Sequence, residues 1–392
     1  MLFAPSLHIV LSINLSVRKG KRFLRGRACI RYGLLYNWVE KRDRLKVSVG
    51  IVAYNEEKNL PKILEDVGKQ TFPHDQMEVV LVDSRSEDGT RGLMQKFAEE
   101  HKEEFFSIQV VDNPERRQSC GWNHAIRSFT TEVLIRVDAH SSIPPEFVAE
   151  NAAALEEGEM VTGGVRPNIV EEDSPWQQVL LTAESSMFGS SAAGFRREGK
   201  KAYVKSFFHG AYRREVFEKA GMFREDLGRT EDNEFHYRLR QKGFRLCMVP
   251  GIISYQMIRP DLGKMCRQKF ANGYWIGLTV GVCPGCLSLY HFVPFAFLCG
   301  ILLTTLLAVL SHPQLAVLMW SLYWLLAAGM AVLAVRGQKK YLGHLLLPLL
   351  FFLLHVSYGA GTLAGLAKMP FWRRKHTGTA GSLACGDQPE KE

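Results

Sequence analysis

Three long apolar segments near the C-terminus constrain the fold of this chain most strongly. They cover about residues 287–310, 315–335 and 343–366. A helix that crosses a bilayer needs about 20 consecutive apolar residues, and the first two segments reach that length. Residues 46–260 have the composition of an ordinary globular domain. The chain is therefore predicted to combine a soluble domain with a membrane domain that follows it.

The charged residues are unevenly distributed along the chain, whose formal net charge is +9. Lys and Arg are concentrated in the N-terminal extension, which lacks the aromatic pattern of RNA-binding segments. Beside membrane segments, such a basic arm is expected to lie on anionic lipid headgroups rather than on nucleic acid. The predicted organisation is a basic extension, a soluble domain, an interfacial amphipathic segment, a membrane domain and a polar tail, at 1–45, 46–260, 261–286, 287–370 and 371–392.

The basic residues after the second apolar segment predict the orientation of the protein. Arg336, Lys339 and Lys340 follow that segment, and the positive-inside rule assigns such a loop to the cytoplasm. The protein is then a multi-pass protein of the inner, cytoplasmic membrane whose soluble domain faces the cytoplasm. The third segment is either a re-entrant hairpin or a full third span, since a crossing would leave a basic flank outside.

Apolar strands alternate with amphipathic helices in the first half of the soluble domain. The strand candidates are residues 47–53, 78–82, 107–112 and 132–137. Strands that are apolar throughout predict a parallel sheet covered on both faces, and ligands bind such sheets beyond the carboxyl ends of the strands. Neither a P-loop nor a dinucleotide-binding glycine motif is present, so those nucleotide-binding classes lose support.

Acid-rich loops follow three of these strands, at Tyr54–Glu57, Asp83–Thr90 and Asp138–Ser141. Asp138 and His140 are two residues apart, so on extended backbone their side chains point the same way. A carboxylate and an imidazole that converge can hold a divalent metal, and the metal can hold a diphosphate. The alternative interpretation is a solvated turn.

Two further features leave two interpretations each, and a third leaves one. Gly210 and Ala211 leave room for a ligand, or they reflect tight packing. Thr230 is a candidate N-cap, and the acids after it, Glu231 and Asp232, complement a helix dipole or do chemistry. The single Cys-x-x-Cys pair has no second pair for zinc and no thioredoxin-like context, so its thiols are interpreted as reduced.

In their order along the chain, these stretches resemble family 2 glycosyltransferases of the GT-A fold, a Rossmann-like mixed sheet. The resemblance is strongest to the membrane-bound transferases of succinoglycan-type exopolysaccharide assembly. It covers about residues 47–275 and the apolar tail, and it rests on VSVGIVAYNEEKNL, VVLVDSRSEDGT, NPERRQSCGWNHAI, IRVDAHS, HGAYRRE and TEDNEFHYRLRQKG.

The resemblance implies a nucleotide-sugar site. Asp83 would accept a hydrogen bond from the uracil edge of a UDP-sugar donor. The residues that would bind the nucleotide sugar are Ala53, Tyr54, Glu56, Asp83, Arg117 and Asp138.

The resemblance also implies the catalytic and metal-binding residues. Asp232, with Glu231 before it, matches the family's catalytic base. Asp138 and His140 would bind the metal, although His140 departs from the commoner Asp-x-Asp, so Mn²⁺ is as plausible as Mg²⁺. The acceptor side of the pocket would be formed by His209, Gly210 and Ala211.

The resemblance further limits the reaction. Processive synthases of the family carry Gln-x-x-Arg-Trp, and the residues after Gln268 do not match it. This favours inverting transfer of one sugar, with glucose suggested by the most similar transferases, to a polyprenyl-diphosphate-linked saccharide. The alternatives are a processive polysaccharide synthase and a catalytically silent membrane protein that binds nucleotide sugar.

Overall fold

The computed structural model describes residues 45–189 and 200–376. Two sequence predictions fall partly or wholly outside these residues. They are the basic extension at 1–45 and the polar tail at 371–392. Elsewhere the structure gives the bounds of each element directly.

The soluble part consists of eleven strands and seven helices in the described residues. The strands are β1 Val47–Ala53, β2 Met77–Asp83, β3 Ser107–Asp112, β4 Val133–Asp138, β5 Ser141–Ser142, β6 Val161–Val165, β7 Asn168–Ile169, β8 Ala202–Val204, β9 Gly210–Arg213, β10 Leu246–Ile253 and β11 Tyr255–Met257. The helices are α1 Leu60–Gly68, α2 Thr90–His101, α3 Gln118–Ser128, α4 Phe147–Glu156, α5 Pro175–Ser185, α6 Arg214–Ala220 and α7 Glu231–Gln241.

The main sheet has eight strands in the order β3-β2-β1-β4-β9-β6-β10-β8. The strands β1 to β4 run parallel, which confirms the predicted parallel half. Strand β9 runs antiparallel to both of its neighbours, β4 and β6, so the whole sheet is mixed. A smaller sheet of β5, β11 and β7 lies beside it. This arrangement is the expected mixed α/β sheet.

The core explains why the strands are apolar throughout. Every residue of β2 is buried, and β1 and β4 each have one partly exposed residue, because helices cover both faces of the sheet. The largest fully buried side chains include Trp122, Tyr212, Phe207 and Phe235. Strand β10 begins at Leu246, and Ser254 separates it from β11.

Four more helices follow the soluble part: α8 Leu262–Thr279, α9 Val293–Val309, α10 Gln314–Val335 and α11 Leu347–His376. Three helical stretches are long and apolar enough to cross a membrane, at Leu289–Val309, Gln314–Val335 and Leu342–Arg374. The third is one continuous helix from Leu347 onward, so the re-entrant hairpin is wrong, since a hairpin requires the chain to reverse. Helix α8, expected at the interface, packs along α11.

Candidate functional site

The parallel strands bring the predicted acids to one edge of the sheet. The strand register pairs Ala53 with Asp83, Asp83 with Asp112, and Val52 with Asp138. These residues end four neighbouring strands, so their side chains meet at the carboxyl edge. This is the edge at which sheets of this type bind ligands.

The loops after β1 and β2 are joined by hydrogen bonds. The backbone amide of Asn55 donates to Ser86 Oγ at 3.0 Å, and the amide of Glu87 donates to Asn55 Oδ1 at 2.8 Å. Asn55 has a φ of 54°, a conformation that Asn tolerates better than most residues. Tyr54 remains 44% exposed beside this junction, so its ring is free to stack on a planar ligand.

Asp83 is buried at the end of β2, and its side chain is fixed by two neighbours. Its Oδ1 accepts from the Ser86 amide at 3.2 Å, and its Oδ2 lies 3.5 Å from Arg91 Nη1. Arg91 also contacts the exposed carboxylate of Asp112. Asp83 is therefore a rigid acceptor, as recognition of a base edge requires.

Glu56 and His140 form a pair across the loops after β1 and β4. Glu56 Oε1 lies 3.2 Å from His140 Nδ1, and Glu56 also accepts from the Asn59 side chain at 2.6 Å. Burial opposes ionisation of Glu56, but the hydrogen bonds from His140 and Asn59 lower its pKa overall.

Asp138 is held by a cation and a histidine. Arg166 Nη2 donates to Asp138 Oδ2 at 2.9 Å, and the Asp138 amide donates to His209 Nε2 at 3.2 Å. Burial and Arg166 lower the pKa of His209 to about 4, so its ring is neutral at physiological pH. Burial disfavours the charged form of Asp138, yet the Arg166 guanidinium, which donates to its carboxylate, keeps its pKa well below the usual range. Because His209 is neutral, we assign the compensating positive charge to Arg166.

Glu231 and Asp232 open α7, and Asp232 makes a buried ion pair with Arg136 of β4. The Arg136 guanidinium stacks between aromatic rings, 4.3 Å from the Trp122 centroid and 4.5 Å from that of Phe223. The Asp232 side chain is 17% exposed, whereas Arg136 is only 3% exposed. Asp232 is therefore the member of the pair that can meet a ligand.

The two acids of α7 differ in protonation. Burial, and then the charge of Asp232, raise the pKa of Glu231 to about 8, so Glu231 is neutral at pH 7. Glu231 Oε2 is buried without a hydrogen-bond partner in the described part of the chain, as a neutral carboxyl tolerates better than a carboxylate. Burial also raises the pKa of Asp232, and Arg136 opposes that rise.

The acceptor-side residues lie deeper than the open-pocket interpretation requires. Gly210 and Ala211 are buried within β9, and a Cβ at Gly210 would lie 2.4 Å from the Phe207 ring. Gly210 is thus tightly packed, because the side chains of Phe207 and Tyr212 fill the space beside it. The acceptor role of the two residues stays a prediction. His209 is buried against Asp138, where it forms part of the wall of the site.

Arg117, which was predicted to bind the nucleotide sugar, is exposed and donates to the Glu225 carbonyl at 3.0 Å, whereas its neighbour Arg116 lies 6.0 Å from the Tyr54 ring centroid. Two other arginines at the site, Arg229 and Arg259, lie outside the motifs, and sequence reasoning missed them. Partial enclosure and the charge of Arg259 lower the pKa of Arg229. Within the described residues, neither Arg229 nor Arg259 has an acidic ion-pair partner, so the two cations leave this side of the site positive.

Asp138 and His140, at the end of β4, fit a divalent metal only in an open site, where other ligands complete the coordination. In the described residues, no group of three His, Cys, Asp or Glu side chains would enclose a metal alone. Asp138 supplies an ionised carboxylate, and His140 lies close enough to affect its charge. Two protein ligands are sufficient for a metal whose coordination is completed by water and a bound diphosphate.

The fold is GT-A, and comparison with solved structures supports this class. The mannosyltransferase PcManGT from Pyrobaculum calidifontis, solved with GDP-Man and Mn²⁺, superimposes with a TM-score of 0.50 at 20% identity. The match covers 86% of this chain and 94% of that one. At this identity, the likeness bears on the fold alone.

Sequence comparison then gives the family. Residues 48–221 match the profile of Glycosyl transferase family 2, so the chain carries a family 2 glycosyltransferase domain. The succinoglycan biosynthesis protein ExoA of Rhizobium meliloti is 26% identical over 82% of this chain and 93% of its own length. A dolichyl N-acetyl-α-D-glucosaminyl phosphate glucuronosyltransferase of Methanococcus voltae, which transfers a diacetamido-dideoxy sugar, is 24% identical over 82% of this chain and 97% of that protein. The chain is thus similar to both of these proteins over nearly their whole length.

Proposed function

We propose that this chain transfers one sugar, with inversion, from a UDP-sugar to a lipid-linked saccharide acceptor at the cytoplasmic membrane. The observation that carries the proposal is the convergence of Asp83, Asp138 and Asp232 on one sheet edge. The first suits the base of a nucleotide, the second suits its diphosphate through a metal, and the third suits an acceptor hydroxyl.

In the proposed reaction, the acceptor hydroxyl attacks the anomeric carbon opposite the leaving diphosphate. The new C–O bond forms as the bond to the nucleoside diphosphate breaks, and Asp232 takes the hydroxyl proton. A raised pKa suits this role, since a more basic carboxylate accepts the proton more readily. Arg136 keeps the carboxylate aimed and ionised between turnovers.

A divalent cation bound by Asp138 and His140 would neutralise the charge that develops on the departing diphosphate. Arg166 fixes the orientation of Asp138 for that contact. Arg229 and Arg259 add positive charge where an anionic group would pass. The donor sugar is proposed as glucose on the family resemblance alone.

The acceptor and location follow from the membrane helices. The apolar helices begin soon after the site, so an acceptor with a lipid tail would reach Asp232 from the bilayer surface. The name of the Methanococcus relative includes a dolichyl phosphate, which supports this acceptor class. The basic loop at 336–340 supports a cytoplasmic orientation.

The decisive experiment compares the wild type with Asp232→Asn in membranes supplied with labelled UDP-sugars and lipid-linked saccharides. We expect single-sugar products from the wild type and a loss of about 100-fold or more for the variant. Equal rates would overturn the base assignment. A ladder of long products would favour a processive synthase instead.

A further inference from the structure

The helices α8 and α11 pack with their backbones in contact along a line of glycines. A Cβ built on Gly273 of α8 would lie 2.0 Å from the Tyr358 carbonyl oxygen, and one on Gly277 would lie 2.6 Å from the Thr362 carbonyl oxygen. From the other side, a Cβ on Gly361 would lie 2.0 Å from the Phe270 carbonyl oxygen, and one on Gly365 would lie 2.1 Å from the Tyr274 carbonyl oxygen.

Two Gly-x-x-x-Gly pairs thus face one another, Gly273 with Gly277 and Gly361 with Gly365. At each of these four positions a glycine hydrogen fits, whereas a side chain does not. The opposing atoms are backbone rather than flexible side-chain ends, so no side chain can move aside to admit a methyl group. A larger residue must push the helices apart. Small residues at this spacing allow such close approach between helices in membranes.

On its other side, α8 contacts Gly228–Thr230, the three residues that precede the acids of α7. A Cβ at Gly228 would lie 2.4 Å from the Trp275 ring. Arg229 Nη1 donates to Asn272 Oδ1 at 3.1 Å. The stretch Gly228–Thr230 therefore rests on α8 over its whole length.

The hydroxyl of Thr230 completes this contact. Its Oγ1 lies 2.6 Å from Thr279 Oγ1, and the Thr279 hydroxyl donates to the Trp275 carbonyl at 2.7 Å. Because the Thr279 proton is used in that bond, Thr230 must be the donor to Thr279. Thr230 was a candidate N-cap, but its side chain makes no capping bond to α7. Its hydroxyl is used to bind α8 instead.

From these contacts we infer that α11 and α8 position the catalytic base, with Gly273, Gly277, Gly361, Gly365, Thr230 and Thr279 as positioning residues. A continuous set of contacts runs from the apolar helix α11, through the glycine line, across α8 and into the residue before Glu231. Displacing α8 would displace Asp232 relative to the strand ends. The nucleotide loops after β1 and β2 do not take part in these contacts and would keep their geometry.

This inference rests on the proposed function, and its test separates turnover from donor binding. The variants are Gly361→Ala, which displaces α8, and Thr279→Val, which removes the hydroxyl bond at nearly constant volume. Gly329→Ala on α10 is the matched control, because among the described residues no atom beyond its own helical turn lies within 4 Å of a Cβ there. The readouts on purified full-length protein are kcat, KM for the UDP-sugar and Kd for UDP.

We expect Gly361→Ala to lower kcat by about 100-fold, as a misplacement near 1 Å does, while Kd for UDP stays within about twofold of the wild type. Thr279→Val should lower kcat by about fivefold, and Thr279→Ser should recover most of that loss. Gly329→Ala should match the wild type in all three readouts.

The inference is overturned if Gly361→Ala turns over like Gly329→Ala, or if its Kd for UDP weakens as much as its kcat falls. Should Gly361→Ala fail to fold, Thr279→Val decides, and a wild-type kcat there rejects the inference. Asp232→Asn, assayed in parallel, reports on the proposed function separately. If it retains activity, the base assignment has failed rather than the positioning.

Discussion

Arg136 on β4 donates to Asp232 on α7, and this ion pair joins the central sheet to the helix that carries the candidate base. The guanidinium is enclosed by the rings of Trp122 and Phe223, so it has no alternative position. Removing one member of a buried pair leaves the other charge without compensation, which is far more damaging than losing a surface pair.

We expect Arg136→Gln to lower kcat by about 100-fold at neutral pH, because the pKa of Asp232 rises further when its cation is lost. The acid limb of the kcat profile should move to higher pH. The control is Arg127→Gln, whose ion pair with Glu225 is half-exposed at 3.7 Å. An unchanged profile in Arg136→Gln would mean that this pair does not act on the base.

The raised pKa of Glu231 predicts how stability depends on pH. Its pKa is about 8 in the folded protein and 4.5 as the ordinary value. The folded state therefore holds a proton that the unfolded state has released. The stabilisation of the folded state that comes from this bound proton is complete below about pH 4.5 and is lost as pH rises through about 8. Glu231→Gln should flatten the decline of melting temperature between pH 5 and 8.5.

An exposed acid provides the comparison for Glu231. Glu215→Gln removes a carboxylate that pairs with Lys219 on the surface of α6. Its melting temperature should follow the wild-type curve. If Glu231→Gln also follows that curve, then Glu231 is ionised at neutral pH and the assignment of a neutral carboxyl is incorrect.

Recognition of the nucleotide base is predicted to depend on Asp83. Asp83→Asn replaces a buried acceptor with a group that presents donors, so Kd for UDP should rise by about 10-fold or more. Asp112→Asn is the matched control, since that carboxylate ends the next strand, contacts the same Arg91 and is 63% exposed. Calorimetry with UDP measures both, and equal affinities would reject the role of Asp83.

Metal dependence should separate Asp138 from His140. EDTA should abolish activity, and added Mn²⁺ should restore it in the wild type. Asp138→Asn should stay inactive at all Mn²⁺ concentrations. His140→Gln should need about 10-fold more Mn²⁺ for half-maximal rate, because one of two protein ligands is weakened. Activity that is indifferent to EDTA would remove the metal from the mechanism.

The ion pair between Lys269 of α8 and Glu184 of α5 predicts a stability effect outside the site. Both side chains are 6% exposed, and Nζ lies 2.6 Å from Glu184 Oε1. Lys269→Met should lower the free energy of unfolding by about 3–5 kcal/mol, since the Glu184 charge stays buried. Lys264→Met, at an exposed position on the same helix, should change it by less than about 1 kcal/mol. Chemical denaturation in detergent compares the two.

Much of the site could be predicted from local pattern. Strands β1 to β4 are continuous apolar runs that end in acids, and parallel strands must present those ends at one edge. Asp83 and Asp138 were singled out for that reason, whereas the Glu231-Asp232 pair was assigned through the family resemblance. Arg136 and Arg166 were missed because an arginine that pairs with a distant acid leaves no periodic signal. Arg229 and Arg259 were missed because single cations outside any motif leave no signal either. Gly210 had two interpretations in sequence, and only the position of the Phe207 ring distinguished them.

The sequence by itself determined the alternation of strands and helices, the acids at the strand ends and the apolar helices that follow. These depend on local composition and period, which the order of residues contains. Tertiary structure alone decided that Asp232 pairs with Arg136, that the Thr230 hydroxyl binds Thr279, and that α8 packs on α11 through glycines. Those contacts join residues that are distant in sequence, and their geometry exists only when the packed backbones bring them within bonding distance.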